Sequence, residues 1–137
     1  MQPGYSGTPL IKKLGIKETD KIKLINAPEE YFDWLGKDIS NQFCKKNELP
    51  DIVHLFAKDY KTFETALQKI PGEIKPTTAI WISWYKKSSR IPTDLNEDII
   101  RNYALQNNLV DIKVCAVSEE WSGLKLVIPV AKRKSFK

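Results

Sequence analysis

At 137 residues, with 42% hydrophobic and 28% charged side chains, the chain has the composition of one globular domain with a substantial buried core, and wholesale disorder is excluded. No apolar run approaches the roughly 18 residues of a membrane helix, and Met1-Gln2-Pro3-Gly4 lacks a signal peptide's apolar stretch, so a cytoplasmic protein is expected. The formal charge of +5 sits largely in Lys132, Arg133, Lys134 and Lys137, which gives a domain over residues 1–131 and a solvated basic tail over 132–137 rather than a nucleic-acid arm.

In chain order, Thr8 suits an N-cap and Pro9 the first helical position, which predicts a short helix to about Leu14 with Gly15 ending it. Lys12 and Lys13 fall on its solvated face. A first strand spans Lys21 to Ile25. Asn26-Ala27-Pro28-Glu29-Glu30 then turns into a second short helix anchored by Tyr31, Phe32, Trp34 and Leu35 and stopped by Gly36. Ile39 to Cys44 is expected to form a short edge strand before a loop at Lys45-Lys46-Asn47-Glu48.

Asp51 to Ala57 carries the near-continuous apolar run of a strand buried on both faces. Asp59 caps a helix whose Phe63, Ala66, Leu67 and Ile70 recur at i, i+3, i+4 and i+7, and Pro71-Gly72 breaks it. Thr78 to Trp84 is the next strand. The pair Asp94 and Glu97 resembles a capping box and predicts the longest helix from Leu95 to Asn107-Asn108. Leu109 to Val117 and Leu124 to Val130 are two strands, joined through Ser118–Gly123 by a link short enough to require antiparallel pairing.

A dinucleotide or methyl-donor site needs glycines after the first strand, so that backbone N–H groups approach the ligand closely. Here that turn carries a proline and two carboxylates, which remove a donor and repel phosphate. The six glycines, at 4, 7, 15, 36, 72 and 123, form no phosphate-binding motif, and no cofactor is expected. Cys44 and Cys115 make neither a disulfide framework nor a zinc site. His54, the sole histidine, lies inside a buried strand and reads as a hydrogen-bonded core residue. Trp81 and Trp84, three apart on one strand, point to opposite faces and make no stacking platform.

Two stretches carry candidate binding chemistry. In the loop after Trp84, Lys86, Lys87, Ser88, Arg90 and Thr93 offer cations and hydroxyls ahead of a helix N-terminus, where open α/β sheets place ligands; the alternative is an ordinary solvated loop. Trp121 lies in the tight link between the last two strands, with Lys125 close by, where the indole lines a cleft or packs over the sheet end. With Asn26, these residues are expected to converge as a surface for a protein partner or a small anionic ligand.

Gly4-Tyr5-Ser6-Gly7-Thr8-Pro9-Leu10, Lys13-Leu14-Gly15-Ile16, Lys86-Lys87-Ser88, Pro92-Thr93-Asp94-Leu95 and the blocks Val110–Val117 and Trp121–Lys125 resemble a family of small bacterial proteins catalogued as a domain of unknown function. That resemblance carries over no catalytic residue. The plan of Asp51-Ile52-Val53, Pro71-Gly72, Ala79-Ile80-Trp81-Ile82 and a closing strand pair also resembles the later half of class I methyltransferases. The resemblance implies an α/β, Rossmann-like three-layer sandwich, with a mostly parallel sheet of five or six strands closed by an antiparallel pair. The expected function is a binding module without methyl transfer; the alternative is a methyltransferase-like enzyme with a non-standard cofactor site.

Overall fold

A computed structural model describes residues 9–135. The elements are α1 (Leu10–Lys13), β1 (Ile22–Ile25), α2 (Tyr31–Leu35), β2 (Ile52–Phe56), α3 (Tyr60–Lys69), β3 (Ala79–Tyr85), α4 (Glu97–Gln106), β4 (Val110–Ala116) and β5 (Trp121–Val127). The strands form one five-stranded sheet in the order β1-β2-β3-β5-β4. β1, β2 and β3 run parallel, and β5 is antiparallel to both β3 and β4.

Alternating side chains send two cores to the two faces of this sheet. On one face, Phe56, Trp81, Val117 and Trp121 pack against Leu10 and Leu14 of the α1 segment and Tyr31 and Leu35 of α2. On the other, Leu55, Ile80, Ile82, Trp84 and Leu124 meet Phe63 and Leu67 of α3 and Ile100 and Ala104 of α4. Trp81 and Trp84 therefore serve opposite cores, as their spacing predicts. The architecture is a three-layer α/β sandwich.

The route from β1 to β2 decides where a ligand crevice lies. α2 carries the chain over the first face to the outer side of β1, where Phe43 makes a single parallel bridge to Ile22. Residues 45–50 then pass to β2, which pairs on the opposite side of β1. The next crossover, through α3, uses the other face. The direction of winding thus reverses between β1 and β2, the position at which open α/β sheets bind ligands.

Four local expectations need correction. The segment Ile39 to Cys44 is not a strand: Ser40–Gln42 is a 3-10 turn, held by Gln42 Nε2 donating to the carbonyls of Lys17 and Asp20, and only Phe43 bridges. The longest expected helix starts two residues late, with Asn96 as its cap accepting from Ile99 N–H at 2.9 Å. Asp94 instead accepts from Tyr60 N–H at 2.7 Å, a tertiary bond no local pattern signals. The final strand begins at Trp121, so Trp121 and Gly123 belong to the sheet and not to the link.

Val130–Ser135 is a 3-10 helix, with Arg133 Nε donating to Ile128 O at 3.0 Å and Lys132 Nζ to Asn108 Oδ1 at 2.9 Å. The expected Thr8 cap and Lys137 lie outside the described residues.

Candidate functional site

The carboxyl ends of β1, β2 and β3 share one end of the sheet with the β4–β5 link. Antiparallel pairing of Tyr85 with Trp121 brings that link beside the loop after β3, and Lys86 N–H donates to Glu120 O at 2.8 Å. Lys87–Ser89 form a 3-10 turn, closed by Ser89 Oγ donating to Lys86 O at 2.7 Å. Arg90 ends the turn at φ 62°, in the left-handed region that a side chain with a Cβ seldom occupies. Thr93 Oγ1 donates to Lys58 O at 2.8 Å, and Asp94 ties the same loop to the start of α3. These bonds pin the backbone of the loop from which the Lys87 and Arg90 side chains project.

Lys87, Ser88 and Arg90 are exposed, and among the described residues neither Lys87 nor Arg90 has an acidic partner. Lys86 is half-buried. Burial pushes its ammonium pKa down, the nearby Lys13 pushes it further, and Glu119 opposes both. Lys13 is fixed there by its Nζ donating to Ala116 O at 3.2 Å. Local spacing puts it on a solvated helix face. Only the tertiary fold, across 73 positions of sequence, sets it beside Lys86.

Trp121 is spent on packing. It is 5% exposed, stacks on Tyr85 with ring centroids 4.2 Å apart and meets Phe56 edge-on at 5.0 Å. The indole thus packs over the sheet end. Lys125 lies further down β5, opposite Trp81, with its Nζ against Gly15. Asn26, at φ 59°, faces a separate groove of about 500 Å³ lined by Lys61, Thr62, Thr65, Ala66 and Lys69 of α3. The structure therefore gathers Lys86, Lys87, Ser88, Arg90 and Thr93 on one platform, whereas Asn26 and Lys125 stand apart from it.

Below the β1–β2 reversal the interior is filled. Tyr31 reaches down from α2 so that its hydroxyl lies 3.1 Å from His54 Nδ1, while Ser83 Oγ lies 2.7 Å from His54 Nε2. All three side chains are buried, and His54 stacks on Phe56 at 4.4 Å. Burial alone pushes the His54 pKa down to about 3 and holds Tyr31 well above its ordinary range. This serine–histidine–tyrosine chain satisfies buried polar groups, as the sequence reading of His54 expects. Burial also raises the Cys115 thiol, against the lowering effect of Lys13 and Lys113. Among the described residues no group of three or more His, Cys, Asp or Glu is placed to hold a metal.

No protein-family model and no curated protein matches the chain. Solved structures do. The chain is similar to the tRNA methyltransferase TrmK of B. subtilis, with a TM-score of 0.58 at 9% identity over 93% of this chain and 68% of that one. The fold is that of the Rossmann-like methyltransferases. A protein of the NADB-Rossmann superfamily from Streptococcus agalactiae matches with a TM-score of 0.55 at 8% identity, over 93% of this chain and 70% of its own. The N-methyltransferase NodS from Bradyrhizobium japonicum gives 0.52 at 10% identity, over 88% and 92%. At these identities the likeness is one of fold. Among the described residues no helix is long and apolar enough to cross a membrane.

Proposed function

We propose that the chain is a binding module of methyltransferase-like fold that recognises an anionic group on the Lys86–Thr93 platform and transfers no methyl group. One observation carries this reading: Lys86 is held half-buried beside Lys13, next to the exposed Lys87 and Arg90 of a loop tied down at Glu120, Lys58 and Tyr60. A carboxylate or phosphate there relieves the repulsion between the cations. Arg90 supplies a planar fork and the lysines supply point charges. The absence of methyl transfer is supported by the turn Asn26–Glu30, which has Pro28 and two carboxylates where close backbone approach to a cofactor is needed.

The test is a thermal-shift and calorimetric titration of the whole chain with inorganic phosphate, citrate and S-adenosylmethionine. Citrate or phosphate is expected to stabilise the protein. Affinity is expected to fall about tenfold in Lys87→Ala and again in Arg90→Ala, the loss of one charged hydrogen bond each. Saturable S-adenosylmethionine binding overturns the proposal.

The fold likeness to TrmK and NodS favours a second reading, a methyltransferase-like enzyme with its cofactor at the β1–β2 reversal, held by non-standard contacts. It requires Tyr31 and the Asn26–Glu30 turn to move aside, and protection of those residues from amide exchange by S-adenosylmethionine is its signature.

A further inference from the structure

Parallel sheets are covered on both faces, because each crossover lays a helix on one of them. β1 departs from this rule. Its outgoing crossover lies on the first face, with α2, and among the described residues the second face of β1 meets the α3 side of the other core through Ile25. Lys23 and Ile25 point to that second face and, with Asn26, form one wall of the open groove of about 500 Å³; α3 forms the other. Ile25 is half-buried and packs on the α3–α4 core, so the groove floor is apolar and continuous with that core.

We propose that this groove docks an acidic amphipathic helix belonging to a partner protein. Shape argues for a helix. The vacant strip runs alongside α3, above a parallel strand, where the third layer of such a sandwich places its helices. The α3 wall offers Thr62, Thr65 and Ala66, small side chains that permit the usual interaxial distance of about 8–10 Å. Thr62 to Lys69 spans about 10 Å, enough for two turns of a partner helix.

Charge argues for an acidic helix. Lys23, Lys61 and Lys69 line the groove against a single carboxylate, Glu73, which is already bonded to Lys23 Nζ at 2.8 Å. Lys61 and Lys69 are exposed, and among the described residues neither has an acidic partner. A helix with an apolar stripe on Ile25 and Ala66 and glutamates at its flanks satisfies both features, in the helix-in-groove mode. The groove is distinct from the Lys86–Thr93 platform, so either assignment stands without the other.

The experiment is heteronuclear NMR of the full chain titrated with three helical peptides of about 14 residues. They share one apolar stripe and are flanked by glutamate, flanked by lysine, or scrambled; a single-stranded oligonucleotide is the fourth arm. The glutamate-flanked peptide is expected to shift the amides of Lys23–Asn26 and Lys61–Lys69. The charge reversals Lys61→Glu and Lys69→Glu, at exposed positions, are expected to weaken it about tenfold each while leaving the spectrum dispersed. Ala66→Gln, which fills the groove without altering charge, is expected to abolish the shifts. Equal binding of the lysine-flanked or scrambled peptide overturns the proposal. So does preferential shifting of these amides by the oligonucleotide, or an acidic peptide that perturbs only residues 86–93 or nothing at all.

Discussion

Ser83 Oγ and His54 Nε2 lie 2.7 Å apart on adjacent parallel strands, with no exposed surface on either residue, and Tyr31 closes the other side of the ring. A buried imidazole with both nitrogens engaged keeps its neutral form. Its pKa near 3 stands well below the ordinary 6.5 because burial penalises the charge. The unfolded chain takes up a proton below about pH 6.5 and the folded chain does not. His54 thus adds full stability above pH 6.5, which is lost as pH falls toward 3. At about 1.4 kcal/mol per pH unit the loss amounts to several kcal/mol. Urea melts from pH 7 to pH 4 should show this slope, and His54→Gln should flatten it.

Ser83→Ala leaves one imidazole nitrogen without a partner. The expected cost is about 1–3 kcal/mol, more than Tyr31→Phe, whose longer bond of 3.1 Å is the weaker of the two. Chemical denaturation of both variants at pH 7 checks the order.

Gly123 has ordinary backbone angles, and its constraint is steric. An added Cβ would sit 2.9 Å from Val117 Cγ2 and 3.2 Å from Trp81 Cε3. Gly123→Ala is expected to cost about 1–3 kcal/mol. The double change Gly123→Ala with Val117→Ala should recover part of it, because the nearest clash is with the valine methyl. Equal melting temperatures for wild type and Gly123→Ala would contradict this packing.

Two side-chain oxygens just before α4, one of the Asn96 amide and one of the Asp94 carboxylate, separate local from tertiary roles. Asn96→Ala removes the true helix cap and should cost about 1 kcal/mol. Asp94→Ala should cost a similar amount through α3, whose first N–H it holds. Amide exchange distinguishes them: Asn96→Ala frees Ile99, and Asp94→Ala frees Tyr60.

The parallel strands, α3 and the antiparallel closing pair were legible because each is decided within its own residues, by an apolar run, a helical spacing or a short link. Asp59 was read as the α3 cap and is one, accepting from Thr62 N–H at 2.8 Å. Asp94 with Glu97 has the local pattern of a capping box, yet its carboxylate accepts from Tyr60 N–H, 34 positions away. The cluster of cations and hydroxyls in Lys86–Arg90 is visible in the sequence because those residues are contiguous. Its neighbour Lys13 is not, and neither is the groove formed by Ile25 and Ala66. Those depend on which strand lies beside which helix, and composition carries no trace of that.

Among the described residues, a single bridge between Ile22 and Phe43 meets the outer border of β1. Past it, Lys45, Lys46 and Asn47 are exposed in a turn that passes the amino end of β1, where Asp51 N–H donates to Lys21 O. No strand pairing among the described residues uses positions 45–47, so a longer turn there is expected to leave the register of the sheet unchanged. The architecture is in this sense extensible: a graft at residues 45–47 should enlarge the sheet from its first border while both cores keep their packing.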